Sequence, residues 1–427
     1  MGKKGRAIIV GGSVAGLSCA HALIQAGCDV VVLEKVRRPS GSATGAGLGL
    51  DPQSCRFLSH WLGDPNLLVR STLPLNIDQN QATDSHNRIT MPIARDEKFN
   101  FRAVYWNDLH GLLYNALPSE TVLWGHQFLA FQPAHDKNSV KIQARIVESG
   151  NTVEIVGDLL VAADGSMSII RHLLLPDCKL RYSGYCAWRG VLDFSEAEFS
   201  QTMKGIQKAY PDLGNCLYFD ITLGSHCVLY ELQNKRLNWL WYINQPEPEL
   251  KGGSLTMSIS SEMLKNMHAE AEKVWVPELA EVMKVTADPF INVIYDCDPL
   301  PKLQWDNVVL VGDAAHPTSP HGLRSTNMSI VDAGTLGQCI GKYGISNLST
   351  ALKEYEKYRL PVVSQQVLHS RKLGRLKQGL DYKGHGRNLH WKDASREDCL
   401  GLLQRNMPFF AGAPSPADSE ALPLMMT

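Results

Sequence analysis

The stretch that most restricts what this chain can become is Gly11-Gly12-Ser13-Val14-Ala15-Gly16. An apolar run, Ala7 to Val10, leads into it, and Leu17 to Ala26 follows with helical spacing that Gly27 ends. A second apolar run, Asp29 to Leu33, closes on Glu34. Two largely apolar strands joined by a helix predict a βαβ unit in a buried parallel sheet. The turn aims backbone N–H groups and the positive end of a helix dipole at a pyrophosphate. Gly11 permits the tight turn, and Gly16 lets the helix pack on the sheet. Glu34 suits the two hydroxyls of a ribose and disfavours a 2′-phosphate, so FAD or NAD is expected rather than NADP. Ser13 replaces the middle glycine of the fingerprint but is small enough for close backbone approach. The expected cofactor contacts here are Gly11, Gly12, Ser13, Ala15, Gly16, Glu34 and Lys35.

Two more strand-then-turn patterns follow. Leu159 to Ala162 runs into Asp164-Gly165-Ser166, with Ser168 and Arg171 beyond. Val308 to Val311 runs into Gly312-Asp313-Ala314-Ala315-His316, then Pro320, Gly322 and Asn327, with a helix expected from about Ser325. Asp313 can hold ribityl hydroxyls, and backbone N–H groups from Gly322 to Ser325 can face the flavin N1 and O2 edge. Between these patterns, Tyr182 to Tyr295 is rich in aromatic and β-branched residues, with Leu229 to Glu231 and Leu237 to Asn244 the clearest strands. Val140 to Val147 and Thr152 to Val156 alternate as a hairpin does, and Trp106 to Leu117 reads as a helix.

The expected fold is therefore α/β: a discontinuous Rossmann-like domain with an inserted antiparallel-sheet substrate domain and C-terminal helices. The expected boundaries are 1–72, 101–180 and 296–375 for nucleotide binding, 73–100 and 181–295 for substrate, and 376–427 for a helical extension. From Pro408 onward the tail is expected to be loosely ordered.

Charge excludes some partners. Forty-two basic side chains against forty-three acidic ones leave a net charge of −1, which gives no reason to expect nucleic acid or an anionic membrane. The ten cysteines include no CxxC pair, so no metal site or redox dithiol is expected, and reduced thiols fit a cytoplasmic protein. No run approaches the ~20 apolar residues of a membrane span. Met1 to Arg6 lacks an apolar signal core, and Met-Met-Thr at the end is no peroxisomal signal.

The three turns, in this order and spacing, resemble the aromatic-hydroxylase family of flavoprotein monooxygenases, whose prototype is p-hydroxybenzoate hydroxylase. The resemblance covers roughly residues 6 to 375. Tyr182-Ser183-Gly184-Tyr185 with Ala187-Trp188-Arg189-Gly190, and Leu237-Asn238-Trp239-Leu240-Trp241-Tyr242, look most like the 2,6-dihydroxypyridine hydroxylase branch. It implies bound FAD, with NADPH or NADH docking transiently and O2 as co-substrate. A flavin C4a-hydroperoxide would insert one oxygen atom into a small electron-rich substrate. It also implies cofactor contacts at Arg102, Phe128, Asp164, Gly165, Gly312, Asp313, Pro320, Gly322, Leu323, Arg324 and Ser325. The chain departs from the pattern twice. Trp106 stands where many members carry an arginine, for which Arg102 is the expected substitute, and Leu323-Arg324-Ser325-Thr326 replaces a glycine-rich run.

The pocket is expected between the inserted sheet and the flavin, lined from His226, Tyr218, Tyr230, Trp241, Tyr242 and Asn244. Strand alternation turns about half of such a set away. His321, His226 and Tyr218 are the candidates for catalysis, and Trp241, Tyr230, Asn244 and His321 for substrate binding. His316 is expected to be buried beside the third turn, and Arg189 to pair either with a bound anion or internally. Competing readings are a flavin oxidase or reductase, a non-catalytic dinucleotide-binding protein, and a halogenase. The last rests on Trp239-Leu240-Trp241-Tyr242-Ile243, which matches a WxWxIP motif up to Asn244.

Overall fold

In the computed structural model, which describes residues 5–37, 45–133, 139–250, 254–380, 391 and 394–414, strand Arg6–Val10 lies inside a six-stranded sheet. The strand order is Gln304–Trp305, Val308–Leu310, Leu159–Ala162, Arg6–Val10, Asp29–Glu34, Val122–Trp124. Every pairing is parallel except the Gln304–Trp305 edge. Ile8 stands opposite Leu160 on one side and Val31 on the other, and all three are buried, as strands covered on both faces must be. Helices Val14–Gln25 and Arg324–Tyr343 pack on each other, and the antiparallel strands Thr152–Gly157, Val140–Ile146 and His126–Pro133 close the same core.

The inserted region forms an eight-stranded sheet: Thr256–Met257, Phe290–Asp296, Arg181–Asp193, Arg236–Asn244, Ser225–Leu232, Cys216–Thr222, Ile77–Asp84, Ile89–Asp96. Its pairings are antiparallel apart from Cys216–Thr222 with Ile77–Asp84. The sequence separates its two faces. Trp239 and Trp241 lie in the cluster under helices Ser200–Ala209, Ser261–Val274 and Pro277–Val285, whereas Leu240 and Tyr242 lie in the cluster on the other face. A small sheet of Gly47–Leu50, Phe101–Tyr105 and Leu73–Leu75 bridges the two regions.

Helix Leu348–Lys377 carries the chain back from the nucleotide-binding region to the second face of the large sheet, where Lys377 and Gln378 are fully buried. The tail departs from expectation over 408–414. Phe410 stacks on Phe101 at 5.4 Å between centroids, and Ala413 exchanges backbone hydrogen bonds with the Gln53 amide at 3.1 and 3.2 Å. A Pro-, Ala- and Ser-rich composition hid Phe410, which packs half-buried against the second-face cluster; residues 415–427 lie outside the described set. Among the described residues no helix is long and apolar enough to cross a membrane.

Candidate active site

The three turns converge, and each pair touches. Gly11 adopts φ +107°, and a Cβ there would collide with the carbonyl oxygen of Ala163, which joins the first turn to the second. A Cβ on Gly312 would stand 2.9 Å from the Ala15 Cβ, joining the third to the first. Ser166 donates to the Asp313 carboxylate at 3.1 Å, joining the second to the third. Ser325, at the head of helix Arg324–Tyr343, donates to the other oxygen of Asp313 at 2.7 Å.

These features fit FAD. Helix Val14–Gln25 begins at Ser13 with no side-chain cap and no acid in its first turn, so its leading N–H groups are open to an anion. The helix sits hard on the turn, since a Cβ on Gly16 would overlap the Gly11 carbonyl oxygen. Glu34 accepts from the N–H groups of Gly12 at 2.7 Å and Val36 at 2.9 Å, which fixes its carboxylate at the strand end. Lys35 is exposed beside it. His110, not anticipated, donates from Nε2 to the Gly12 carbonyl at 2.9 Å while stacked on Trp106 at 4.9 Å.

Helix Arg324–Tyr343 also starts without a side-chain cap or an early acid, so its N-terminus can face the electron-rich edge of a flavin. Gly322 lies at φ +82°, and Leu323 at φ +56°, in the left-handed region that costs a non-glycine residue about 1 kcal/mol or more. Packing holds it there: a Cβ on Gly49 would be 2.8 Å from the Leu323 side chain, and Asn327 bonds to both the Gly49 carbonyl (2.8 Å) and the Asp51 N–H (2.9 Å).

Several expected cofactor contacts are otherwise engaged. The Arg324 guanidinium is buried in an ion pair with Asp51 and points away from the cavity, leaving only its backbone at the helix start. Arg102 lies on strand Phe101–Tyr105, not on the following helix, and gives its donors to Thr72 (2.6 Å to Oγ1, 3.1 Å to O) and the Val69 carbonyl (3.3 Å). These bonds hold it against the carbonyls that end helix Pro65–Ser71. The Phe128 ring is buried in the apolar core. Asp164 caps the next helix, accepting from Ser168 Oγ at 2.6 Å and Ile169 N–H at 2.9 Å, and burial raises its pKa. Gly165 stands clear, and a methyl group in place of its hydrogen would meet open space. His316 is buried as expected: its Nε2 meets Asp332 at 2.6 Å and Arg359 meets the other oxygen at 2.7 Å. Burial would raise the Asp332 carboxyl, but His316 and Arg359 beside it hold it at about 2.

A cavity of about 160 Å³ lies between the Gly47–Gly49 strand, the Pro320–Leu323 turn and the large sheet. His226, Tyr230, Tyr242 and His321 all line it, with Arg189 and Phe219. Tyr218 and Trp241 do not. Alternation puts them on the helix-covered face, where Tyr218 OH accepts from Asp212 N–H at 2.9 Å and Trp241 Nε1 donates to Ser225 at 2.7 Å. Asn244 stays off the lining and grips Gln378 instead.

That grip determines the protonation pattern of the two histidines. Asn244 Nδ2 donates to the Gln378 backbone carbonyl at 2.9 Å, so Asn244 Oδ1 faces Gln378 Nε2, also at 2.9 Å. Gln378 Oε1 is then the atom 2.7 Å from His226 Nδ1, which must carry a proton. His226 Nε2 is left as an acceptor, and His321 Nε2, 3.2 Å away, must donate to it. His321 Nδ1 in turn accepts from Ser319 Oγ at 3.2 Å or Tyr185 OH at 3.4 Å. Both rings are buried, and His226 stacks on Tyr242 at 4.4 Å. Burial, His321 and then Lys377 push the His226 pKa far below the ordinary histidine value; burial and Lys377 push His321 down to about 3. Lys377 sits behind the cavity wall, 3.0 Å from Asn80 Oδ1 and 3.1 Å above the Phe219 ring centroid. Burial lowers the pKa of its ammonium, and Asp78 opposes the shift.

This is the architecture of a flavoprotein whose inserted sheet walls a cavity against the third turn. The chain matches the FAD binding domain family over residues 4–205 and 300–370, and it belongs to that family. It is 25% identical over 380 residues to the 6-hydroxynicotinate 3-monooxygenase of Pseudomonas fluorescens, covering 86% of this chain and 91% of that one. It is 25% identical over 379 residues to the 2,6-dihydroxypyridine 3-monooxygenase of Paenarthrobacter nicotinovorans, covering 83% and 87%. It is 24% identical over 411 residues to the 3-hydroxybenzoate 6-hydroxylase of Klebsiella oxytoca, covering 93% and 95%. The solved 2,6-dihydroxypyridine-3-hydroxylase of Arthrobacter nicotinovorans has the same fold, with a TM-score of 0.73 at 22% identity over 91% of this chain and 96% of that one. The protein is an FAD-dependent monooxygenase that hydroxylates aromatic or heteroaromatic rings, with NAD(P)H as reductant.

Proposed function

We propose that the substrate is a single small ring bearing an ionisable hydroxyl or amino group, and that His321 and His226 receive its proton. Bound FAD supplies reduction by NAD(P)H and activation of O2. The Gly11 and Gly312 turns, Glu34 and Asp313 would hold it, with the Gly322–Ser325 backbone beside its polar edge. The protein's own contribution is to exclude water and manage a proton. Leu240, Val228, Phe219 and Tyr242 make a chamber wall that keeps water from the reacting atoms. An aromatic ring gives up electrons more readily once its hydroxyl is ionised, so a neutral base at the wall speeds attack.

The observation that carries this reading is the ordered chain from Ser319 and Tyr185 through His321 and His226 to Gln378. A proton arriving at His321 Nδ1 can be matched by release of the Nε2 proton to His226. The charge at His226 beside the Gln378 carbonyl is held only in transit, because burial pushes both rings below the ordinary histidine value. The relatives are named for 6-hydroxynicotinate, 3-hydroxybenzoate and 2,6-dihydroxypyridine, each a ring with an ionisable hydroxyl. Reduced cysteines and near-neutral charge suit work in the cytoplasm on a small diffusing substrate.

The test is a screen of hydroxylated benzoates, phenols and hydroxypyridines for stimulated NAD(P)H oxidation, with 18O from O2 traced into product. His321→Asn should cut the rate with the best substrate by roughly 100-fold or more while FAD stays bound. Unchanged coupled turnover in that variant would rule out the proton-transfer role.

A further inference from the structure

The fold brings together two cysteines that spacing along the chain could not pair. Cys178 and Cys297 are 119 residues apart, yet their sulfurs stand 3.1 Å from each other as free thiols. Cys178 follows helix Ile169–Leu174, where the chain leaves the nucleotide-binding region for strand Arg181–Asp193 of the inserted sheet. Cys297 follows strand Phe290–Asp296, where the chain comes back toward Val308–Leu310. The pair therefore stands between the outgoing and the returning crossing. Polar bonds fix both crossings around it. Arg181 lies opposite Asp296 in the sheet register and meets its carboxylate at 3.1 and 2.9 Å. Arg371 meets the same carboxylate at 3.1 and 3.0 Å and the Cys297 carbonyl at 3.0 Å. The Cys297 N–H donates to the Pro317 carbonyl at 3.1 Å, and the Cys178 N–H to the Leu175 carbonyl at 3.0 Å. None of these bonds uses a sulfur, and the two Sγ atoms are left to each other.

The two thiols differ in reach. Cys178 is half-buried and open to a small solute, whereas Cys297 is 3% exposed. Burial, and then the Cys178 sulfur beside it, push the Cys297 thiol pKa up, with the Arg171 guanidinium opposing. Cys297 therefore keeps its proton, and Cys178 is the sulfur that a dissolved oxidant meets first. To bond, the sulfurs need to close by only about 1 Å. We infer that Cys178 and Cys297 form a peroxide-reactive dithiol that closes to a disulfide between the two crossings. Dithiols of reducing compartments act in this transient way, open at rest and closed on oxidation.

The oxidant is hydrogen peroxide. NAD(P)H oxidation that leaves the ring substrate untouched passes two electrons to O2, which takes up two protons and leaves as H2O2. The Cys178 thiolate attacks one peroxide oxygen. The O–O bond breaks, a sulfenic acid forms on Cys178, and the departing hydroxide takes a proton to become water. The Cys297 sulfur then attacks the Cys178 sulfur. The S–O bond breaks, the S–S bond forms, and the hydroxide released takes the Cys297 proton to become a second water. Two thiols and one H2O2 give one disulfide and two waters, and two electrons pass from sulfur to oxygen.

The experiment exposes the reduced, FAD-loaded protein to a small molar excess of H2O2, blocks remaining thiols with N-ethylmaleimide and maps the peptides by mass spectrometry. Two of the ten thiols should be lost, in a cross-linked Cys178–Cys297 peptide that dithiothreitol reopens. Cys297→Ser should stop at a Cys178 sulfenic acid that dimedone traps. Cys178→Ser should lose thiols at least about 10-fold more slowly than the parent. Neither sulfur lines the cavity, so both serine variants should keep the parent's coupled turnover. NAD(P)H oxidation in air without ring substrate should give the same cross-link, and catalase should prevent it. A parent that keeps both thiols, carries Cys178 past the sulfenic acid without linking it, or joins two chains instead would overturn the assignment. A cross-link formed by added H2O2 but never during NAD(P)H oxidation would overturn the protein's own turnover as the source of the oxidant.

Discussion

His226 Nε2 and His321 Nε2 stand 3.2 Å apart, and the bonds on either side allow only His321 to hold the proton between them. The acceptor that fixes this is Gln378 Oε1 at His226 Nδ1. Gln378→Glu would put a carboxylate there, and a charge-assisted partner favours the imidazolium. The proton affinity of the pair rises, so the base form is lost at a higher pH. The acid limb of the pH–rate profile should move upward by about one unit or more. A profile that keeps its acid limb in place would separate the pair from the rate-determining chemistry.

The same pair makes folding sensitive to acid. Burial lowers both histidines, His321 to about 3. Below the ordinary histidine value of about 6.5 the unfolded chain takes up protons that the folded rings refuse. Stability contributed by the neutral pair is therefore full above that pH and falls as pH drops toward 3. Each histidine adds a slope of up to about 1.4 kcal/mol per pH unit. Asp78 and Asp220 work in the opposite direction, since burial raises both carboxyls, to about 6 and about 7. The clean measurement is a difference: urea unfolding at pH 7 and pH 5 for the parent and for His226→Asn/His321→Asn. The parent should lose more stability between the two pH values than the double variant.

The three nucleotide-binding turns were legible because each is a local pattern of strand, small residue and acid, and their chemistry needs no partner from afar. The face of a strand was not, because alternation fixes which residues share a side but not which side meets the cofactor. Tyr242 and His226 face the cavity as a register pair, while Tyr218 and Trp241, as aromatic as they are, face the helices. Gln378 and Lys377 gave no signal at all: they arrive at the end of a helix that starts at Leu348, and only the packing of that helix brings them to strands Ser225–Leu232 and Ile77–Asp84. Arg102 reads as a substitute for a missing arginine because only its distance along the chain is visible; the sequence does not show that its Nε and one Nη already meet Thr72 and Val69.

Tyr242 and Trp241 are chain neighbours whose substitution should therefore read out differently. Trp241→Phe removes a hydrogen bond to Ser225 and some packing against Trp275, 5.9 Å away. It should cost about 1–3 kcal/mol in unfolding and leave ligand affinity almost unchanged. Tyr242→Leu removes the platform on which His226 stacks at 4.4 Å. It should weaken ring-ligand binding and uncouple NAD(P)H oxidation from product, seen as H2O2 release. Equal effects of both substitutions on ligand binding would contradict the face assignment.

Asp313 and Asp332 are both acids of the third motif region, yet they should fail in different ways. Asp313 is half-buried, and among the described residues its carboxyl accepts from two hydroxyls, Ser166 at 3.1 Å and Ser325 at 2.7 Å, with no ion pair. Those hydroxyl bonds are easily exchanged for sugar hydroxyls, so Asp313→Ala should give a folded protein that loses its yellow colour on dialysis. Asp332 is fully buried between His316 and Arg359. Asp332→Asn strands the Arg359 charge in the core and should cost about 3–5 kcal/mol of folding stability. Thermal unfolding and the flavin-to-protein absorbance ratio, taken together on both variants, separate the two roles. An Asp313→Ala protein that keeps its full flavin through dialysis would remove that carboxylate from the cofactor site.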